Sequence, residues 1–151
     1  MPKEERITES KSEIEIFIHE LRSALANKKS FIRVIEKKTS EIGRDAEQTN
    51  ASTISTLFPD EYPHIALRRE LKKLEVIDYM YSMTDSLFPY GNKLKVFGKN
   101  YSGADVYIKL KLEFEYDKSF ENTIVLVLSF HKSTRPFGLN EFPYEVENEK
   151  K

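Results

Sequence analysis

The sequence predicts an α+β fold in which N-terminal helices pack on a small antiparallel β-sheet. Two observations carry that expectation. Apolar residues recur at helical spacing before residue 92, and after it the period drops from about 3.6 to 2. A third sets the scale: 151 residues without a cysteine suit one ordinary domain, 1–151, whose core needs neither a disulfide nor a thiolate metal site. Within it, residues 1–90 read as mainly helical, 93–132 as the sheet and 133–151 as a tail.

Ile14, Phe17, Ile18, Leu21 and Leu25 trace one stripe, so an amphipathic helix is expected from about Ser10 to Asn27. A second helical stretch carries Phe31, Val34, Ile35 and Ile42 and stops before Gly43, with Lys38 and Thr39 interrupting its stripe. From Arg44 to Asp60 the residues are mostly small and polar, which reads as a loop. Pro63 suits the first turn of a third helix whose inward residues are Leu67, Leu71, Leu74 and Ile77 or Tyr79.

After Tyr90-Gly91-Asn92, the alternating Lys93–Phe97 reads as a strand, and Gly98–Gly103 has the composition of a hairpin turn. In Val106–Glu115 every even position is apolar and every odd one polar, so one face is expected in the core and the other in water. Asp117–Asn122 reads as the next turn. Thr123–Lys132 reads as a central strand, because its apolar run is continuous. Folding this hairpin about Ser119 opposes Ile108 to Phe130, Leu110 to Leu128, Leu112 to Leu126 and Phe114 to Ile124. The same register brings Tyr107 near His131 and Lys109 near Ser129, with Lys111 a step further along.

Charge and motifs exclude several classes. Twenty-four basic and 25 acidic residues give a net charge of -1, so a nucleic-acid site must be a local patch. The N-terminal residues lack the apolar stretch of a secretory signal, and Ile124–Leu128 is far short of the roughly 20 residues that span a bilayer. A cytoplasmic location without membrane contact is expected. The five glycines are scattered and form no phosphate loop, and no Gly-x-Ser-x-Gly elbow occurs. His19, His64 and His131 have no metal-ligand spacing, so neither metal nor other cofactor is expected. The acidic pairs Glu13/Glu15 and Glu113/Glu115 read as solvated positions.

His131 is the leading candidate for chemistry, since imidazole titrates near neutrality and is followed by Lys132, Ser133, Thr134 and Arg135, two of which are phosphate-binding cations. A histidine that merely fills a sheet end is the alternative. Lys93, Lys95, Lys99, Lys109 and Lys111 share twenty residues with a single acid, Asp105. Such an excess suits an RNA backbone, and equally an ordinary solvated strand face. Tyr90, Phe97, Tyr101 and Tyr107 offer either stacking for bases or simple packing.

The stretches Ile77–Thr84, Val96–Lys99, Gly103–Leu110 and Leu128–His131, in this order and at similar separation, resemble toxins of the MqsR family, and Arg135-Pro136-Phe137 with Phe142-Pro143-Tyr144 looks like the C-terminal pattern of small toxins encoded beside antitoxins. The resemblance covers roughly Leu74 to Tyr144, about half the chain. It implies a RelE-like fold and the activity of a type II toxin-antitoxin toxin, a metal-independent messenger-RNA endoribonuclease. It also implies two partners, a cognate antitoxin protein and an RNA substrate. The family's strand tyrosine falls on Tyr107 and its following lysine on Lys109. Its lysine after Ser-Phe is His131 here, its helix-end lysine is Tyr81, and its glutamine has no counterpart around Leu94. The site that follows is His131, Tyr107 and Lys109 for catalysis, with Lys93, Lys95, Lys99, Lys111, Lys132 and Arg135 on RNA. A non-catalytic module that binds a protein or RNA is the competing reading.

Overall fold

The computed structural model describes residues 6–27, 30–35, 50–84, 93–114 and 123–145. In chain order the elements are β1 (Arg6–Ile7), α1 (Lys11–Ala26), β2 (Phe31–Val34), α2 (Asn50–Leu57), α3 (Pro63–Leu71), β3 (Tyr79–Met83), β4 (Leu94–Tyr101), β5 (Ala104–Phe114) and β6 (Thr123–Lys132). The six strands form one sheet in the order β1-β3-β4-β5-β6-β2, antiparallel except for the β2–β6 pair. The architecture is α+β. No helix among the described residues is long and apolar enough to cross a membrane.

Helix α1 forms where its stripe predicts. Ser10 Oγ accepts from the Glu13 N–H at 3.2 Å and Glu13 Oε1 accepts from the Ser10 N–H at 3.1 Å, so two orphan donors of the first turn are satisfied reciprocally. That bonding to Ser10 holds the Glu13 carboxyl below its ordinary range. Ile14, Phe17, Ile18, Leu21 and Leu25 are buried with Leu67 and Leu71 of α3 against Phe97, Ile108, Leu110 and Val127 of the sheet. Two guanidiniums then tie the helices end to end. Arg22 of α1 donates to Leu74 O at 2.8 Å and Lys72 O at 3.1 Å, beyond the C-terminus of α3. Arg68 of α3 donates to Leu25 O at 2.6 Å and Ser30 O at 3.1 Å, around the C-terminus of α1. Each supplies donors to carbonyls at or just beyond a helix C-terminus, where intrahelical N–H partners run out.

Three expectations are corrected before residue 84. Phe31–Val34 is a strand rather than helix: Ile32 and Val34 pack on the core while Phe31 and Arg33 face out, a period of 2 that β-branched residues favour. Ile42 and Gly43, which were to end that helix, lie outside the described residues. The segment expected as loop holds α2, with residues 44–49 outside the description. The third helix starts at Pro63 as expected but stops at Leu71. Leu74 is buried, yet Val76–Asp78 is a 3-10 turn and Tyr79 is buried from strand β3. Leucine spacing concealed that change, because Tyr79 continues the apolar stripe in sequence while its backbone is already extended.

Asparagine, serine and threonine are weak helix formers, so α2 depends on what it touches. Strand β2 stops pairing at Ile35, whose N–H donates to Val127 O at 2.9 Å. From there α2 serves the exposed edge of β6 with side chains. Asn50 Nδ2 donates to Ile35 O at 2.7 Å and to Leu128 O at 3.1 Å, while Asn50 Oδ1 accepts from the Phe130 N–H at 3.0 Å. One turn on, Thr53 Oγ1 accepts from the Lys132 N–H at 3.1 Å. Both side chains are buried, at 2% and 0% exposure. Two residues of a helix thus take the part of a missing strand.

Asn50→Ala leaves the Phe130 N–H and two carbonyls without their side-chain partner; at ~1–3 kcal/mol for a buried unsatisfied group, the variant should lose about 3 kcal/mol in urea denaturation. Asn50→Asp keeps the acceptor and loses the donor, so it should recover only part. A loss indistinguishable from a surface substitution would show that these bonds do not hold the edge.

Candidate functional site

The β5–β6 ladder begins in the expected register. Val106 pairs with Lys132, Tyr107 with His131, Ile108 with Phe130 and Lys109 with Ser129. A bulge between Lys109 and Leu110 then shifts the ladder by one, so Leu110 faces Val127, Leu112 faces Val125 and Phe114 faces Thr123. The expected pairs Leu110/Leu128, Leu112/Leu126 and Phe114/Ile124 are therefore corrected. Register usually resists such a slip because it exchanges apolar and polar faces. Here it does not, because Ile124–Leu128 is aliphatic at both parities. The turn expected over Asp117–Asn122 lies outside the described residues. β6 does occupy an interior place in the sheet, between β5 and β2.

Beyond the bulge, Phe130 points into the helix-covered core and Ser129 and His131 to the opposite face. That face is not simply wet, as the alternation of β5 suggested. Met80, Met83, Leu94 and Val96 form a second buried cluster there, with Tyr81, Tyr107, Leu128, Phe137 and Phe142 packed on it. Beside this cluster a cavity of about 220 Å³ is lined by Arg6, Tyr81, Val96, Tyr107, Lys109, Ser129 and His131. The structure thus brings Tyr107, Lys109 and His131 to one surface. The Tyr107 and His131 ring centroids are 5.9 Å apart. His131 Nδ1 lies 3.1 Å from Lys132 O. A carbonyl only accepts, so this bond needs the proton on Nδ1 and makes Nε2 the basic nitrogen of the neutral ring.

Gly98, the cross-strand partner of Tyr107, makes room for the wall behind that phenol. A Cβ at Gly98 would sit 2.8 Å from the Phe137 ring and 2.9 Å from Met80 Sδ, and Phe137 meets Tyr107 edge-on with centroids 4.8 Å apart. The tail carrying Phe137 is fastened by its N–H to Asp105 at 2.9 Å and by the fork of Arg135 onto Glu141 at 2.9 and 2.7 Å. The Arg135 fork holds Glu141 well below the usual carboxylate range, at about 2.

Sequence reasoning missed Arg6 and Tyr81 as members of this site. The Arg6 guanidinium lies 4.3 Å over the Tyr81 ring, delivered by β1, which pairs with β3 through Arg6–Met83 and Ile7–Ser82. A two-residue strand has no periodicity to read. For Tyr81, the aromatic and methionine content of Tyr79–Met83 was the available strand signal.

The expected RNA-binding cations do not form one patch. Lys95 donates to Glu9 at 3.0 Å on the α1 side, where Lys93 also borders a cavity with Glu9, Glu13 and Glu20. Lys99 meets Asp78 at 3.4 Å, and burial raises the pKa of that carboxyl. Lys111 is buried, its ammonium 4.0 Å from Glu113. Lys132 and Arg135 border a separate concavity at the end of the sheet. Among the described residues no three His, Asp or Glu side chains gather closely enough to hold a metal ion. Tyr90, Glu147 and Glu149 lie outside the description.

Gly98→Val should expel Phe137 and strip the wall from Tyr107. Overpacking of this kind costs about 1–3 kcal/mol, and the Phe137–Tyr107 contacts should vanish from nuclear Overhauser spectra. Retention of both would show that the tail does not pack over Gly98.

Comparison of the chain with protein-family models, with curated proteins and with solved structures finds no match.

Proposed function

We propose that this chain is a metal-independent messenger-RNA endoribonuclease of RelE-like architecture, the toxin component of a type II toxin-antitoxin system similar to the MqsR family. The observation that carries this reading is the single cavity around which an imidazole, two phenols, a hydroxyl, an ammonium and a guanidinium meet. RNA cleavage without a metal needs a base for the ribose 2′-hydroxyl, cations for the charge gathering on phosphate, and a proton for the departing 5′-oxygen. His131 Nε2 takes the 2′-hydroxyl proton as the 2′-oxygen bonds to phosphorus. The bond from phosphorus to the 5′-oxygen breaks, leaving a 2′,3′-cyclic phosphate. Lys109 and Arg6 neutralise the phosphoryl oxygens, and Tyr107 orients the scissile nucleotide and protonates the 5′-oxygen. Arg6, stacked on Tyr81, supports the reading further: it supplies a cation beside the position where the resembling family carries lysine. The cognate antitoxin would cover this face.

A second reading, a binding module without catalysis, is favoured by one observation: Lys95, Lys99 and Arg135 are already engaged by Glu9, Asp78 and Glu141. Inducing the chain in bacteria and mapping new RNA 5′ ends separates the two. Growth arrest with defined cuts supports the nuclease, and arrest with intact RNA supports the binder.

General acid-base catalysis contributes about 10²–10⁴-fold, so His131→Ala should lose turnover on that scale while its unfolding transition stays in place. Lys109→Ala should instead weaken RNA binding and flatten its salt dependence. Cleavage by His131→Ala at the wild-type rate removes the imidazole from the mechanism.

A further inference from the structure

The proposed reaction gives a part to every polar group around the cavity except Tyr81, whose ring already lies under Arg6, and Ser129. Ser129 is 7% exposed and lines the cavity opposite Lys109 and beside His131. Its Oγ makes no hydrogen bond to any described residue. Nor is that oxygen enclosed, since among the described residues Tyr101 Oη is the one wholly buried side-chain oxygen or nitrogen without a partner. The hydroxyl therefore opens on the cavity that Ser129 lines. Buried polar side chains nearly always find a partner, so an uncommitted one at a cavity points to something that binds there.

Size, charge and position say what it would meet. At about 220 Å³ the cavity is smaller than the roughly 300–1,000 Å³ of a pocket for a drug-sized ligand, so it has room for one sugar or base. Phosphoryl oxygens suit Lys109 and Arg6 better, because a cation is a stronger partner for them than a neutral hydroxyl. The neutral group that cleavage requires at His131 Nε2 is the ribose 2′-hydroxyl, which like serine both donates and accepts. Ser129 stands two residues before His131 on the same face, a rise of about 6.6 Å, so one small group between the two side chains reaches both. The bond of Nδ1 to Lys132 O turns the Nε2 edge of the imidazole away from Lys132.

We infer that Ser129 is the residue that recognises ribose: its hydroxyl donates to the 2′-oxygen while the hydrogen on that oxygen points to His131 Nε2. The inference rests on reading the cavity as the site of RNA cleavage, and it adds how the chain would tell RNA from DNA. A site built to bond a hydroxyl rejects the analogue that lacks it, because its own buried group is then left unpaired.

The four ribonucleoside 3′-monophosphates and their 2′-deoxy counterparts test this by nuclear magnetic resonance titration without cleavage, since neither series carries a leaving group on its phosphate. For the base that binds best, wild type should hold the ribo form several-fold, up to about tenfold, more tightly than the deoxy form, the worth of one hydrogen bond. Ser129→Ala should weaken the ribo form alone and bring that ratio to about one. Binding of the deoxy form at its wild-type strength shows that the cavity is otherwise intact. The inference is overturned if wild type does not distinguish the two sugars, if Ser129→Ala keeps the ratio or weakens both forms alike, or if no nucleotide binds. RNA cleavage by wild type alongside any of those results leaves the nuclease reading standing and removes only the role of Ser129. A ratio that collapses in Ser129→Ala, from a chain that cuts no RNA, removes the nuclease reading and leaves the recognition of ribose.

Discussion

One extra residue in β6 governs the arrangement of the site. Val125 and Val127 line the helix-covered core, and an uninterrupted strand of that parity would send Ser129 and His131 into the core as well, with Phe130 on the far face. The bulge at Leu128 reverses the alternation, so Phe130 is buried and Ser129 and His131 join Tyr107 and Lys109. The magnitudes favour it. Burying a phenylalanine side chain contributes about 1.5–3 kcal/mol, and a lost ladder hydrogen bond costs roughly 1 kcal/mol. Asn50 offsets even that loss, because its amide bonds Leu128 O and the Phe130 N–H on either side of the distorted step. Bulges commonly re-aim a side chain near a functional surface, and this one re-aims two.

The surface so formed draws on segments far apart in sequence. Arg6 comes from β1, Tyr81 from β3, Tyr107 and Lys109 from β5, Ser129 and His131 from β6. The first and last described segments are secured to each other at Glu9. Its N–H donates to Tyr79 Oη at 3.1 Å, its carbonyl accepts from Tyr144 Oη, and its carboxylate takes Lys95 at 3.0 Å. That knot fixes the strand that carries Arg6 and the tail that carries Phe137. A site built in this way is sensitive to packing remote from its polar groups, at Gly98 above all.

Where a segment carried its own period, the sequence was legible. Helix α1 and strand β5 announce themselves through spacings of 3.6 and 2, and the polar positions of β5 and β6 bring Tyr107 to His131 by register alone. Elements that exist only through partners were not legible. Strand β1 is too short to show a pattern, β2 is made by β6, and α2 has a loop's composition but is held by Ile54 in the core and by Asn50 and Thr53 at the sheet edge. The bulge was hidden for a related reason, since five consecutive aliphatic residues satisfy either parity. The lysines misled because proximity in sequence says nothing of direction: Lys95 and Lys99 reach carboxylates that lie 86 and 21 residues away.

The most direct measurement is a set of nuclear Overhauser contacts at His131. Its ring protons should show cross-peaks to the Tyr107 ring, at a centroid separation of 5.9 Å, while Phe130 shows them to Phe58 at 6.4 Å across the sheet. Cross-peaks from His131 to Phe58 or Tyr101 would mean that β6 runs on without its bulge. The imidazole would then be turned into the core, away from the phenol, and the site would not exist as drawn.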